Sequence, residues 1–178
     1  PAIRDTNDNF ITELVPSTTV DYNGTRLTIN RWGMRDKDYE QIPLPDTYRI
    51  ALTGPSFVMG LGVADNEGFE WLLEDRLNHE HAGDPYARYE ILDFAVPGYS
   101  AVQDLMLLEQ KAVSFQPNAL FFMAHQREEE SVVLYVADRL SLKIDLPYPE
   151  LTEIARQAGV EPGMSKDEAA RLLQPHGA

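Results

Sequence analysis

The sequence predicts an α/β domain in which a parallel sheet carries helices on both sides. Three observations point there. A short run with a β-branched residue, Tyr48 to Leu52, stops at Thr53-Gly54-Pro55. Two further strand-like runs follow, Tyr89 to Ala95 and Ala119 to Ala124, the last apolar enough for a strand buried on both faces. Between the three runs, apolar residues recur at helical spacing. The order strand, helix, strand, helix, strand favours a parallel sheet over a sandwich or bundle.

Taken in order, residues 1–19 carry Asp, Asn and Thr with few apolar positions and are expected to wrap over the domain as an extended arm. Thr19 to Asn30 reads as a hairpin, with Asn23-Gly24 between Val20-Asp21-Tyr22 and Thr25 to Ile29, because Asn-Gly accepts the positive φ of a type I′ turn. The charged, Pro-containing stretch Arg35 to Asp46 is expected as a surface connection. Residues 1–47 thus form an arm and hairpin packed on a core domain of residues 48–178.

Within that core, Phe69, Leu72, Leu73 and Leu77 predict a helix over 66–78 with one buried stripe, ended by Gly83-Asp84-Pro85. Pro97-Gly98 turns the chain after the second strand. Ser100 with Gln103 makes a capping box for a helix carrying Val102, Leu105, Leu108, Ala112 and Val113. Beyond His125 helices are expected over 131–140 and 148–158, and a last one capped by Ser165 with Glu168. The whole reads as a three-layer, flavodoxin-like α/β/α arrangement with a helical, lid-like carboxyl end. A doubly wound sheet normally has more than three strands, so the carboxyl-terminal portion is expected to be incomplete.

Composition narrows the partners. A length of 178 residues suits one domain, and 43% hydrophobic content argues against disorder. The net charge of −14, from 15 basic and 29 acidic residues, disfavours nucleic acid and anionic membranes. With no cysteine there is no disulfide, thiolate ligand or cysteine nucleophile. No apolar run approaches the ~20 residues of a membrane span, so no membrane insertion is expected. A chain that opens on Pro is expected to be a trimmed or processed product, and the compartment stays open.

Chemistry concentrates after the first core strand, where ligands of open parallel sheets usually bind. Ser56 stands at that turn. Gly54 and Gly60 enclose five residues with no Lys following, unlike a P-loop, and Gly60 and Gly62 lack the third glycine of a dinucleotide fingerprint. No Gly stands two residues after Ser56, as an α/β-hydrolase elbow requires. Ser56 is either a nucleophile or a helix-capping serine.

The run Gly54-Pro55-Ser56-Phe57-Val58-Met59-Gly60-Leu61-Gly62-Val63 resembles the signature block of the SGNH, or GDSL-type, serine hydrolases. Ile29 to Asp36 is similar to the lead-in segment of some bacterial members, and Val96-Pro97-Gly98-Tyr99-Ser100 to the second block. The similarity runs in order from about Asn30 to Pro117. It implies Ser56 as nucleophile and Gly98 as an oxyanion-hole amide, with His125 or Gln126 near the place of the family's oxyanion Asn. The implied substrate is a small-molecule or carbohydrate ester, without a cofactor.

Three departures stand out: Pro55 replaces the usual Asp, no Asn occurs where the third block expects one beyond Pro117, at the end of the following strand, and no Asp-x-x-His occurs. The missing pair would supply the base. His125 could act as base, and counting from Pro117 also admits Arg127. Gly98 could equally be a plain turn glycine, Ser100 a cap, and His125 or Asp93 structural. Glu128-Glu129-Glu130 reads as a solvated helix start. His79 and His81 point to different faces, and His176 does not match the family pattern. A non-catalytic module binding carbohydrate or polymer is the alternative, and a flavodoxin-like receiver or nucleotide binder is a third.

Overall fold

The computed structural model describes residues 1–22, 24–81 and 83–174. Asn23 of the anticipated turn and His176 lie outside them. Strand β1 (Ile3–Asp5) pairs antiparallel with β2 (Thr12–Leu14), and β3 (Thr18–Tyr22) with β4 (Thr25–Ile29). The second is the expected hairpin. The first gives the extended arm a pairing the sequence did not show: the Asp8 carboxylate accepts from the Thr6 hydroxyl at 2.7 Å and the Phe10 amide at 2.9 Å, so a short Asx-type turn folds the arm back. Phe10 and Leu14 are buried as a result.

Strands β5 (Thr47–Thr53), β6 (Arg88–Asp93) and β7 (Ala119–Phe122) form a parallel sheet in the order β6-β5-β7. Helix α1 (Phe69–Glu80) joins β5 to β6. Helix α2 (Ala101–Gln110), with a 3₁₀ turn at Ala112–Phe115, joins β6 to β7. The expected capping box is present, with the Ser100 amide donating to Gln103 Oε1 at 3.0 Å. The rest is helical: α3 (Glu128–Ser141), α4 (Pro149–Gln157) and α5 (Lys166–Leu173), with α3 packed on α5 and α2.

Successive side chains of β5 point to opposite faces. The Thr53 hydroxyl meets Asp104 of α2, and Arg49 reaches the Phe115 carbonyl, whereas Ile50 and Leu52 line a groove with Phe69 and Leu73 of α1. Arg49 is fully buried beside its cross-strand neighbour Glu90, with Nη2 at 2.6 Å from Oε2. It also donates to the carbonyls of Glu40 and Gln41, so one guanidinium ties the sheet to the segment ahead of it.

The free edge of β6 is closed by side chains. Asn78 bonds both the amide and the carbonyl of Tyr89, Glu74 accepts from the Ile91 amide at 2.7 Å, Tyr39 donates to the Ile91 carbonyl at 2.9 Å, and Asp36 accepts from the Asp93 amide at 3.0 Å. Edges left bare invite another strand, and this one is sealed.

That seal overturns two expectations. Helix α1 turns its polar row, Glu74 and Asn78 with Glu70, inward, so Phe69, Leu72 and Leu73 are exposed rather than buried and Leu77 is only partly covered. Strand β7 is not buried on both faces either: Leu120, Phe121 and Phe122 are exposed, because no strand lies beyond it among the described residues. Of the expected apolar row, Val102 and Leu108 of α2 and Ala112 of the 3₁₀ turn are buried, but Leu105 and, in that turn, Val113 face out, and Met106 and Leu107 of α2 take inner positions.

Candidate active site

The loops after β5, β6 and β7 all leave the carboxyl-terminal edge of the sheet, and the order β6-β5-β7 reverses direction at β5. Such a reversal opens a crevice between strand ends. Ser56, Gly98 and His125 each lie on one of these loops.

The β5 loop is a run of tight turns. Val58 N–H donates to the Pro55 carbonyl at 2.8 Å, Leu61 N–H to Ser56 at 3.0 Å and Val63 N–H to Gly60 at 3.2 Å. Ser56 is half-buried, and no hydrogen bond among the described residues engages its hydroxyl. It is not a helix cap, because α1 begins at Gly68. Buried Arg35 holds the loop. It donates to the carbonyls of Met59 at 3.1 Å, Gly60, and Val63 at 2.6 Å, and stands 3.5 Å from Asp65. A guanidinium from the segment ahead of the sheet thus orders this turn. Asn30 shapes that segment, accepting from the Trp32 and Met34 amides and donating to the Lys37 carbonyl.

Gly54 lets β5 and β7 converge. The Met123 amide donates to the Thr53 carbonyl at 2.9 Å, and a Cβ on residue 54 would stand 2.7 Å from the Met123 oxygen and 2.8 Å from Val58 Cγ2. The chain therefore reaches His125 two residues beyond a point bonded to the start of the Ser56 loop.

His125 is partly exposed. Its Nδ1 accepts from the Arg127 amide at 3.0 Å, which leaves the neutral ring's proton on Nε2, 3.6 Å from Glu128 Oε2. Glu128 is more than a solvated helix start, since its Oε1 accepts from the Ala101 amide at 2.7 Å and clamps the start of α2 to α3. Asp104 stands under this cluster. Its Oδ1 meets the Thr53 hydroxyl at 2.5 Å, and burial pushes its carboxyl up to about 6, with Glu128 adding to the shift and the Thr53 bond and His125 opposing it. Gln126 and Arg127 are exposed, and Arg127 pairs with Glu130 at 2.6 Å.

Gly98 takes φ +84°, a left-handed conformation that suits glycine, on an exposed turn. It opens on a cleft of about 280 Å³ with Ile11, Ser100, Gln103, Tyr135 and Lys166 among its walls. Asp93 is fully buried, with Oδ1 accepting from the Ala95 amide at 2.9 Å and Oδ2 without a partner among the described residues. Burial raises its carboxyl well above the ordinary range, with Glu70 and Asp36 adding to the effect. His79 and His81 are exposed.

Comparison with known families, with curated proteins and with solved structures yields no significant match to the chain. Residue reasoning missed Arg35, Asp104 and Glu128. Only Asp104 carried a local signal, an acid directly ahead of the apolar run Leu105 to Leu108.

Proposed function

We propose that the chain carries an SGNH-type serine ester hydrolase site on a three-layer, flavodoxin-like domain. The observation that carries this reading is Ser56 itself: a hydroxyl without a hydrogen-bond partner among the described residues, at the strand-order reversal, on a loop held by a buried guanidinium. Ser56 Oγ attacks the acyl carbon of a carboxylic ester, for example an acetyl group on a carbohydrate. The Ser56 and Gly98 amides hold the tetrahedral oxyanion, with His125 or Gln126 as further donors. A base takes the Ser56 proton during the attack and passes it to the departing alcohol as the ester C–O bond breaks, and water then cleaves the acyl-Ser56 ester to release the acid.

One observation favours a second reading, a catalytically silent module of the same fold that binds carbohydrate or polymer. The lone pair of His125 Nδ1 is taken by the Arg127 amide, and the other nitrogen faces Glu128, so the imidazole holds no free acceptor for a serine proton. Labelling with a serine-directed fluorophosphonate separates the two. The hydrolase reading expects labelling that Ser56→Ala abolishes, together with turnover of small aryl esters. Labelling that survives in Ser56→Ala removes the nucleophile assignment. No labelling and no turnover supports the binding module.

A further inference from the structure

Away from the crevice at the strand ends, one buried carboxylate is only partly served. Glu70, in the first turn of α1, is 2% exposed, and its Oε2 has no hydrogen-bond partner among the described residues. Burial holds its carboxyl above the ordinary range, against the Glu70 and Trp71 amides of that turn and the Arg35 charge. The side chain lies on Gly68, where a Cβ would collide with both carboxylate oxygens. A residue without a side chain thus makes the room that Glu70 occupies.

Glu70 lines a cavity of about 180 Å³ between the segment ahead of the sheet, the end of the Ser56 loop and α1, with Thr28, Asp36, Asp65, Asn66 and Trp71 among its walls. Both cations on those walls are committed elsewhere. Arg35 serves the carbonyls of Met59, Gly60 and Val63 and stands 3.5 Å from Asp65, while Lys37 pairs with Glu74. Asp36 is likewise spent, on the Lys37 and Asp93 amides and the Tyr39 hydroxyl. The cavity therefore lacks a donor. Its three carboxylates, Asp36, Asp65 and Glu70, also outnumber Arg35 and Lys37.

We propose that this cavity binds a small organic ammonium ion, a primary amine whose N–H groups donate to the Glu70 carboxylate while its carbon chain lies against Trp71. An ammonium brings three donors and a positive charge, which together offset the cost of burying a carboxylate without a full set of partners. The half-buried Trp71 ring supplies an apolar wall with an electron-rich face. Space limits the ligand to a short chain, since the volume equals that of roughly six waters. Other ligand classes fit less well. The acids repel an anion, a neutral alcohol brings one donor and no charge, and no group of three acids or histidines suited to a metal ion occurs among the described residues.

The test titrates n-butylammonium chloride into the 178-residue chain at fixed ionic strength, following the Trp71 indole N–H by NMR with Trp32 as internal reference and n-butanol as the uncharged control. A saturable one-site shift is expected for the amine, with n-butanol at least ~10-fold weaker. Glu70→Gln keeps the side chain's shape and should weaken amine binding at least ~10-fold. Should that variant fail to fold, Trp71→Leu, followed through the Asn66 amide, should weaken binding about 3-fold. Three results overturn the proposal: no saturable shift with the amine, equal affinity for n-butanol, or amine affinity unchanged by both substitutions. Ser56→Ala should bind the amine as the parent chain does, so this outcome is read apart from the fate of the hydrolase reading.

Discussion

The guanidinium of Arg35 donates to the carbonyl oxygen of Val63 at 2.6 Å, across the loop that carries Ser56. The same group also serves Met59 and Gly60 and faces Asp65, so its removal strands several buried acceptors at once. Arg35→Met should cost about 3 kcal/mol of unfolding free energy, read from the urea midpoint at constant slope. Arg35→Lys should recover less than half of that loss, because an ammonium cannot present a planar fork to separate carbonyls. Full recovery by Lys would show that charge alone holds the loop.

Gly54 makes a second, independent demand on the same loop. An alanine there places Cβ against the Met123 oxygen and Val58, and the oxygen belongs to backbone that cannot swing aside. Gly54→Ala should destabilise by about 2 kcal/mol through forced displacement. The Met123 amide, bonded to Thr53, should exchange faster in the variant, and an unchanged rate would mean that the strands tolerate the extra atom.

The fold was legible where local chemistry decides it. The hairpin at Thr18–Ile29, the strand–helix alternation and the Ser100 box all follow from turn residues and short-range periodicity. The orientation of α1 was not legible, because Glu74 is buried and Asn78 half-buried for the sake of a strand edge that is distant in sequence. Spacing alone reports which residues share a face, and not which face turns inward. Strand β7 misled for a related reason: its run Ala119–Phe122 has interior composition but lies at the rim of the described sheet. Ser56, Gly98 and His125 are candidates read from turns and strand ends, and the structure places them on three loops at the same edge of the sheet. Arg35 and Glu128 act through loop carbonyls and a helix amide, contacts that leave no mark in local sequence.

The buried pair Arg49 and Glu90 lends itself to a double-mutant cycle. Either partner alone would be a desolvated charge, so Arg49→Met and Glu90→Gln should each cost about 3 kcal/mol or more, with Arg49→Met the worse because the Gln41 and Phe115 carbonyls also lose their donor. The double variant should cost at least ~1 kcal/mol less than the sum. Arg88, 3.8 Å from Glu90, softens the loss when Arg49 is removed. Strict additivity would show that the two charges are held by their other partners and not by each other.

Asp36 gives the stability an unusual pH dependence. Burial pushes its carboxyl up to about 7, against the opposing hydrogen bonds from the Asp93 and Lys37 amides and the Tyr39 hydroxyl. A folded-state value above the unfolded one means that the native protein holds a proton the unfolded chain has released, so stability falls as pH rises between about 4 and 7. Asp104, pushed up to about 6, acts in the same direction, while Asp138, lowered by its bonds to Arg139 and Lys166, acts against it. The Asp36 contribution amounts to at most ~4 kcal/mol across that window. Asp36→Asn should therefore flatten the decline: urea midpoints at pH 4.5 and 7.5 should differ less in the variant than in the parent chain. A variant whose midpoints fall as steeply as the parent's would place the titration on another group and leave Asp36 ionised in the folded state.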